Sequence, residues 1–146
     1  MTPSWEDVQI AHKIWTELVT RKAAVPIDPD NDVILEIYDS WYALFQRVRQ
    51  LVSEIPGRCV RREASTQTLI RIATDTLNLG LRPHLTTWQA RFRNWWHHTE
   101  DALQTKTPQE HQKDFPQYAT LLADMQQVNK MLIQYAAELH KIVKGE

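Results

Sequence analysis

Between residues 34 and 55 the apolar side chains fall at Ile34, Ile37, Trp41, Leu44, Val48, Leu51 and Ile55, in alternating steps of three and four. That alternation puts one greasy stripe along a single helical face and predicts the seam of a bundle or coiled coil. Asn31 or Asp32 can cap this helix, and Pro56-Gly57 stops it. A shorter stripe precedes it: Val8, Ala11, Ile14, Trp15, Leu18 and Val19, opened by Ser4 with Asp7 three residues on, a capping box. This first helix is expected to end near Lys22. The stretch 23–32, with Pro26, Pro29 and three aspartates, reads as a loop.

A third helix is predicted from about Thr66 to His98, after a polar, basic loop over 58–65. Leu69, Ala73, Leu77, Gly80 and Leu81 lie on one side of it, and Leu85, Trp88, Phe92 and Trp95 continue the stripe. Pro83 interrupts the run. Proline lacks the N–H of the helical ladder and its ring presses on the preceding turn, so a kink or break is expected there. Thr107-Pro108-Gln109-Glu110 is a second capping box and opens a short helix over about 108–114. The last helix carries Tyr118, Leu121, Met125, Val128, Leu132, Tyr135, Leu139 and Ile142 in heptads, with Gly145 just past its end. No segment alternates with period two. The pattern predicts one all-α domain over 1–146, an antiparallel four-helix bundle with a Pro-kinked third helix and a short extra helix.

Composition narrows the function classes. Three glycines in 146 residues leave no material for phosphate-cradling loops, and no nucleotide, nucleophile-elbow or zincin motif occurs. Glu-x-x-His pairs, which di-iron bundles require, are absent from the sequence. His97 and Asp101 sit four apart, half of a metal site at most, and a solvated helix end is the simpler reading. One cysteine, Cys59, excludes an intrachain disulfide. Arg58, Arg61 and Arg62 beside it would favour a thiolate, but a plain surface-loop thiol is the expectation. The first residues lack the basic start and apolar core of a signal peptide, and no run approaches the ~20 residues of a membrane span. A reducing cytoplasm, no membrane, no cofactor and no catalytic role are the expectations.

Charge and tryptophan then point to a surface. The net charge is −1, yet residues 58–98 carry seven arginines against two acidic residues. Arg71, Arg82 and Arg93 are spaced by eleven, almost three helical turns, and on a straight helix would share one face with Thr86 and Gln89. Arg71 also has Asp75 at i, i+4. Six tryptophans are many for this size; Trp15, Trp41, Trp88 and Trp95 fall on stripes and are expected in the core. Neighbours on a helix point about 100° apart, so Trp95 and Trp96 are not expected to share a narrow seam. Trp96 is assigned to an edge or interface, and Trp5 to the periphery.

The segment Leu77-Asn78-Leu79-Gly80-Leu81-Arg82-Pro83-His84-Leu85-Thr86-Thr87-Trp88 resembles a Leu-Asn-x-x-Leu-Arg-Pro-x-Leu-x-x-Trp signature of small helical bacterial proteins that accompany mobile or antiviral defence loci. The resemblance extends loosely to Thr107-Pro108-Gln109-Glu110 and Phe115-Pro116-Gln117-Tyr118. It implies a recurring structural feature around Arg82-Pro83 and a defence context, and brings no catalytic residue. The reading that follows is a non-catalytic accessory protein that contacts a protein partner or a second copy of itself through Arg71, Arg82, Arg93, Trp96 and His97. The alternative is a nucleic-acid-binding subunit using Arg58, Arg61, Arg62 and Arg91.

Overall fold

All seven members of the 34–55 stripe are buried. The computed structural model describes residues 3–146, apart from the side chain of Arg62, and every regular element among them is helical. Four long elements dominate: α1 (Trp5–Val19), α2 (Ile34–Ser53), the rod α4 running over 64–98, and α6 (Tyr118–Lys144). Two short helices, α3 (Gly57–Arg62) and α5 (Pro108–Gln112), fill the connections. Helix α1 packs most extensively on α6 and also touches α2 and α4, while α4 touches both α2 and α6. Ile14, Leu18, Trp41, Leu44, Leu69, Leu81, Leu121, Met125 and Leu132 fill the space where these faces meet.

Both capping boxes form. Ser4 Oγ accepts from the Asp7 amide and Thr107 Oγ1 from that of Glu110, each returned by the acidic side chain. Gly145 closes α6 in the left-handed region at φ 76°. The cap of α2 differs from expectation. Its N-cap is Val33, which has no side chain to offer. Instead Gln112 reaches over from α5: its Oε1 accepts from the Ile34 amide at 2.9 Å and its Nε2 donates to the Asp32 carbonyl at 2.9 Å.

The rod does not break at Pro83. It runs through Ala64–Asp75, a π-helical stretch Thr76–Leu81, Arg82–His84, a second π-helical stretch Leu85–Gln89, and Ala90–His98. Leu81, Arg82 and His84 all keep right-handed helical angles (φ −76, −57 and −66°). A π turn pairs each amide with the carbonyl five residues back, which widens the ladder beside the proline ring and re-partners the carbonyl it would strand. Gly80 lies in the first widened turn and faces α6, where an added Cβ would meet Leu132 Cδ2 at 3.1 Å.

The expected loop over 58–65 is mostly helix α3, and Cys59 is buried beneath it, not exposed. Burial pushes its thiol pKa up, and Glu63 and Glu6 add to the rise against the lowering by Arg58. A buried carboxylate lies close by. Asp7 accepts from Ser65 Oγ at 2.6 Å and Thr66 Oγ1 at 2.7 Å, joining the start of α1 to the start of the rod.

Trp96 is also inside, at 7% exposure. The seam at this end is wider than two helices. His111 of α5 stacks on Trp95 at 4.6 Å and tilts over Trp96 at 5.0 Å, and Phe115 closes on Phe92 and Trp95. That second wall lets two adjacent tryptophans pack at once. Trp5 does lie at the periphery, 77% exposed.

Candidate interaction face

The outward strip of α2 beside its buried stripe carries Asp39, Tyr42, Gln46 and Arg49, at spacings of three and four. The rod brings Arg82, Leu85, Thr86, Gln89 and Arg93 to the same side. Together they line two adjoining grooves between α2 and α4 that share Tyr42. Phe45 forms part of the floor, and Tyr42 stands 58% exposed at the junction. A large aromatic ring exposed beside arginines is the composition of an interface centre, where a ring supplies area and a guanidinium supplies directed donors.

The groove walls are held apart by a buried contact. One helical turn before Tyr42, the Tyr38 hydroxyl donates to Nε2 of His84 at 2.9 Å. His84 Nδ1 donates to Oδ2 of Asp124 on α6 at 2.7 Å. The carboxylate can only accept, so the proton sits on Nδ1 and Nε2 is free to receive the hydroxyl. Trp41 packs edge-on to the imidazole at 5.7 Å. Burial lowers the His84 pKa below its ordinary value, with Asp124 opposing, and burial followed by Asp124 raises that of Tyr38. Three helices are thus pinned beneath the grooves. The two rings lie inside the core and line none of the grooves between α2 and α4, so this relay positions the walls.

Arg82 and Arg93 are together on this face with Thr86 and Gln89, as their spacing predicts. Arg71 is not with them. It lies within 3.4 Å of Asp75 and 3.8 Å of Glu138, drawn toward α6 by two carboxylates. Trp96 is excluded from the surface by its burial. His97 is exposed past the end of the groove and bonds Glu100 at 3.2 Å, not Asp101. Among the described residues no three His, Cys, Asp or Glu side chains group as metal ligands would.

The second arginine set is dispersed. Arg58 and Arg61 sit in α3, where Arg58 lies 3.8 Å from Glu6. The Arg62 side chain lies outside the described residues. Arg91 projects over the Trp88 ring at 5.5 Å, about 40 Å along the rod from its start at 1.5 Å per residue. Sequence reasoning missed Tyr42, Phe45 and Arg49, whose signal was present as a strip at i, i+3 and i+7 next to the heptad stripe of α2.

No helix among the described residues is long and apolar enough to cross a membrane. No protein-family model, curated protein or solved structure matches the chain.

Proposed function

We propose that this chain is a non-catalytic accessory protein that binds a protein partner through the face between α2 and α4. One observation carries the reading: Arg49, Arg82 and Arg93 converge there around the exposed Tyr42, and among the described residues none of the three has a carboxylate within 4.0 Å. Uncompensated guanidinium groups beside an exposed ring gain most when a partner both covers the ring and supplies acceptors. Asp39 at the Arg93 end and the scatter of Arg58, Arg61 and Arg91 weigh against a continuous phosphate track. In this reading the four long helices form an up-down-up-down bundle, the protein works in the cytoplasm, and the Arg82-Pro83 signature suggests a bacterial defence assembly as its setting.

A photo-crosslinking amino acid placed at position 42, with position 133 on α6 as control, tests this in the native cell. The expected result is one dominant partner captured from position 42, lost in an Arg82→Ala/Arg93→Ala variant and recovered when the two purified proteins are mixed. Equal capture from both positions, or capture indifferent to the arginines, refutes the face. Sedimentation of the purified chain separates a second copy from a different protein as occupant.

A further inference from the structure

The guanidinium carbons of Arg49 and Arg82 each lie 4.9 Å from the centre of the Phe45 ring, so they are no more than 9.8 Å (twice 4.9 Å) from each other. One arrives from α2 and the other from the rod, and Arg82 Nε donates to Asn78 Oδ1 at 3.1 Å, which fixes its direction. Some cations meet carboxylates, as Arg21 meets Glu17, Lys22 meets Asp32, Arg58 meets Glu6 and Lys106 meets Asp114. Others, such as Lys13, Arg47, Arg61 and Lys141, have none within 4.0 Å among the described residues; what sets Arg49 and Arg82 apart is the ring they share. Here two like charges are brought together and left without a carboxylate. The negative face of the ring offsets part of their repulsion and holds both long side chains in place. Their remaining donors are free for planar acceptors, and much of the ordering cost of binding is already met.

We propose that Arg49, Phe45 and Arg82 form an anion clamp for an acidic peptide segment of a protein partner, with one side-chain carboxylate in the clamp, a second on Arg93, and an apolar side chain over Tyr42 and Leu85. This rests on the α2/α4 face being the contact surface and adds the chemistry of its occupant. Arg82 and Arg93 are about 16 Å apart along the rod. An extended chain covers that distance in about five residues. The segment therefore carries two acidic residues about five apart with an apolar residue between. A phosphate chain fits less well, because it would run its charges continuously past Asp39.

The probe is a fluorescein-labelled synthetic peptide with two glutamates at that spacing around a leucine, compared with its glutamine counterpart and with oligothymidylate of equal length. Anisotropy titrations are read beside the arginine Nε signals of the labelled protein. Binding of the glutamate peptide is expected to be saturable, to shift the Arg49 and Arg82 signals, and to weaken about tenfold for each arginine removed. Arg49→Lys/Arg82→Lys keeps the charge and loses the fork, and is expected to lose most of the affinity, whereas Arg91→Ala leaves it unchanged. Circular dichroism verifies the fold of each variant. Equal affinity for the glutamine peptide, signal shifts confined to other arginines, or tighter binding of oligothymidylate would each overturn the clamp. If the position-42 crosslink survives while the glutamate peptide fails, the face stands and only its assigned chemistry falls; loss of both removes the face as well.

Discussion

The Tyr38 hydroxyl and Nε2 of His84, 2.9 Å apart in the core, join α2 to the rod at the level where Tyr42 and Arg82 form the groove. The direction of the contact, with the hydroxyl as donor, depends on a neutral imidazole. A protonated His84 carries N–H on both nitrogens and cannot accept from Tyr38, although it would still donate to Asp124. Asp124 is half exposed on α6, so water reaches the outer end of the relay while its inner end stays dry.

That asymmetry gives a pH dependence with a definite sign. His84 titrates below its ordinary value of 6.5 because burial disfavours its charge. Below that value the unfolded chain binds a proton which the folded chain refuses, so stability falls as pH drops from 6.5 toward the lowered folded value, and is retained above it. Thermal melts between about pH 7.5 and 5 should show the wild type losing stability more steeply than His84→Gln. Asp124→Asn removes the group that opposes the lowering and should steepen the loss further. Parallel pH profiles for wild type and His84→Gln would refute the account.

Trp96 and Trp5 make a contrasting pair. Trp96 packs on Phe92, Trp95 and His111, so Trp96→Ala should cost about 3–5 kcal/mol in urea unfolding through the cavity it leaves. Trp5 is exposed in the first turn of α1, and Trp5→Ala should stay within about 0.5 kcal/mol of wild type. Similar losses for both variants would mean that α5 and Phe115 do not seal this end.

The difference between these tryptophans shows what a sequence read alone can supply. Stripes at three- and four-residue spacing predicted the four long helices, because a helix buries one face and period is a local property. Both capping boxes were legible for the same reason. The wall over Trp96 was not, since it comes from His111 and Phe115, across a turn that periodicity does not orient. His84 falls on the buried stripe, three after Leu81 and four before Trp88, but a polar residue there does not name its partners, which come from two other helices, 46 and 40 residues away. Pro83 announced a disturbance but not its form, because a π turn and a break begin from the same missing N–H. Of the face, Arg82 and Arg93 were readable from spacing on one helix; Phe45, Tyr42 and Arg49 required knowing which helix lies alongside.

Gln112 supplies a cap from 78 residues away. Gln112→Ala should expose the Ile34 amide and Asp32 carbonyl and cost about 1–2 kcal/mol in chemical denaturation. Gln112→Glu is the sharper variant. It keeps an acceptor for Ile34 but sets a second oxygen against the Asp32 carbonyl, where Gln112 donates at 2.9 Å. It should therefore be no more stable than the alanine variant at neutral pH, despite bringing a negative charge to a helix N-terminus. A glutamate variant as stable as wild type would show that the dipole outweighs the lost donor.

Asn129 does for the connection between α1 and α2 what Gln112 does for the cap. Its Oδ1 accepts from the Ile27 amide at 3.1 Å, and its Nδ2 lies 2.6 Å from the Ala23 carbonyl, 3.1 Å from that of Val25 and 3.2 Å from that of Lys22. One amide thus satisfies a chain reversal that has no ladder of its own, on a helix that otherwise turns apolar residues inward. Asn129→Asp keeps the shape and removes the donor, placing a carboxylate oxygen among three carbonyls; the substitution should cost about 2–3 kcal/mol. The loss should be local first. Amide exchange at Ile27 and proteolysis within residues 20–33 should accelerate well before the helical signal changes, because the long helices do not depend on this loop for their own hydrogen bonds. Unaltered protection of the Ile27 amide in Asn129→Asp would show that the connection is held without Asn129, by the burial of Ala23 and Val33 and by its own bonds, such as those of the Ala24 and Val25 amides to the Leu18 and Arg21 carbonyls.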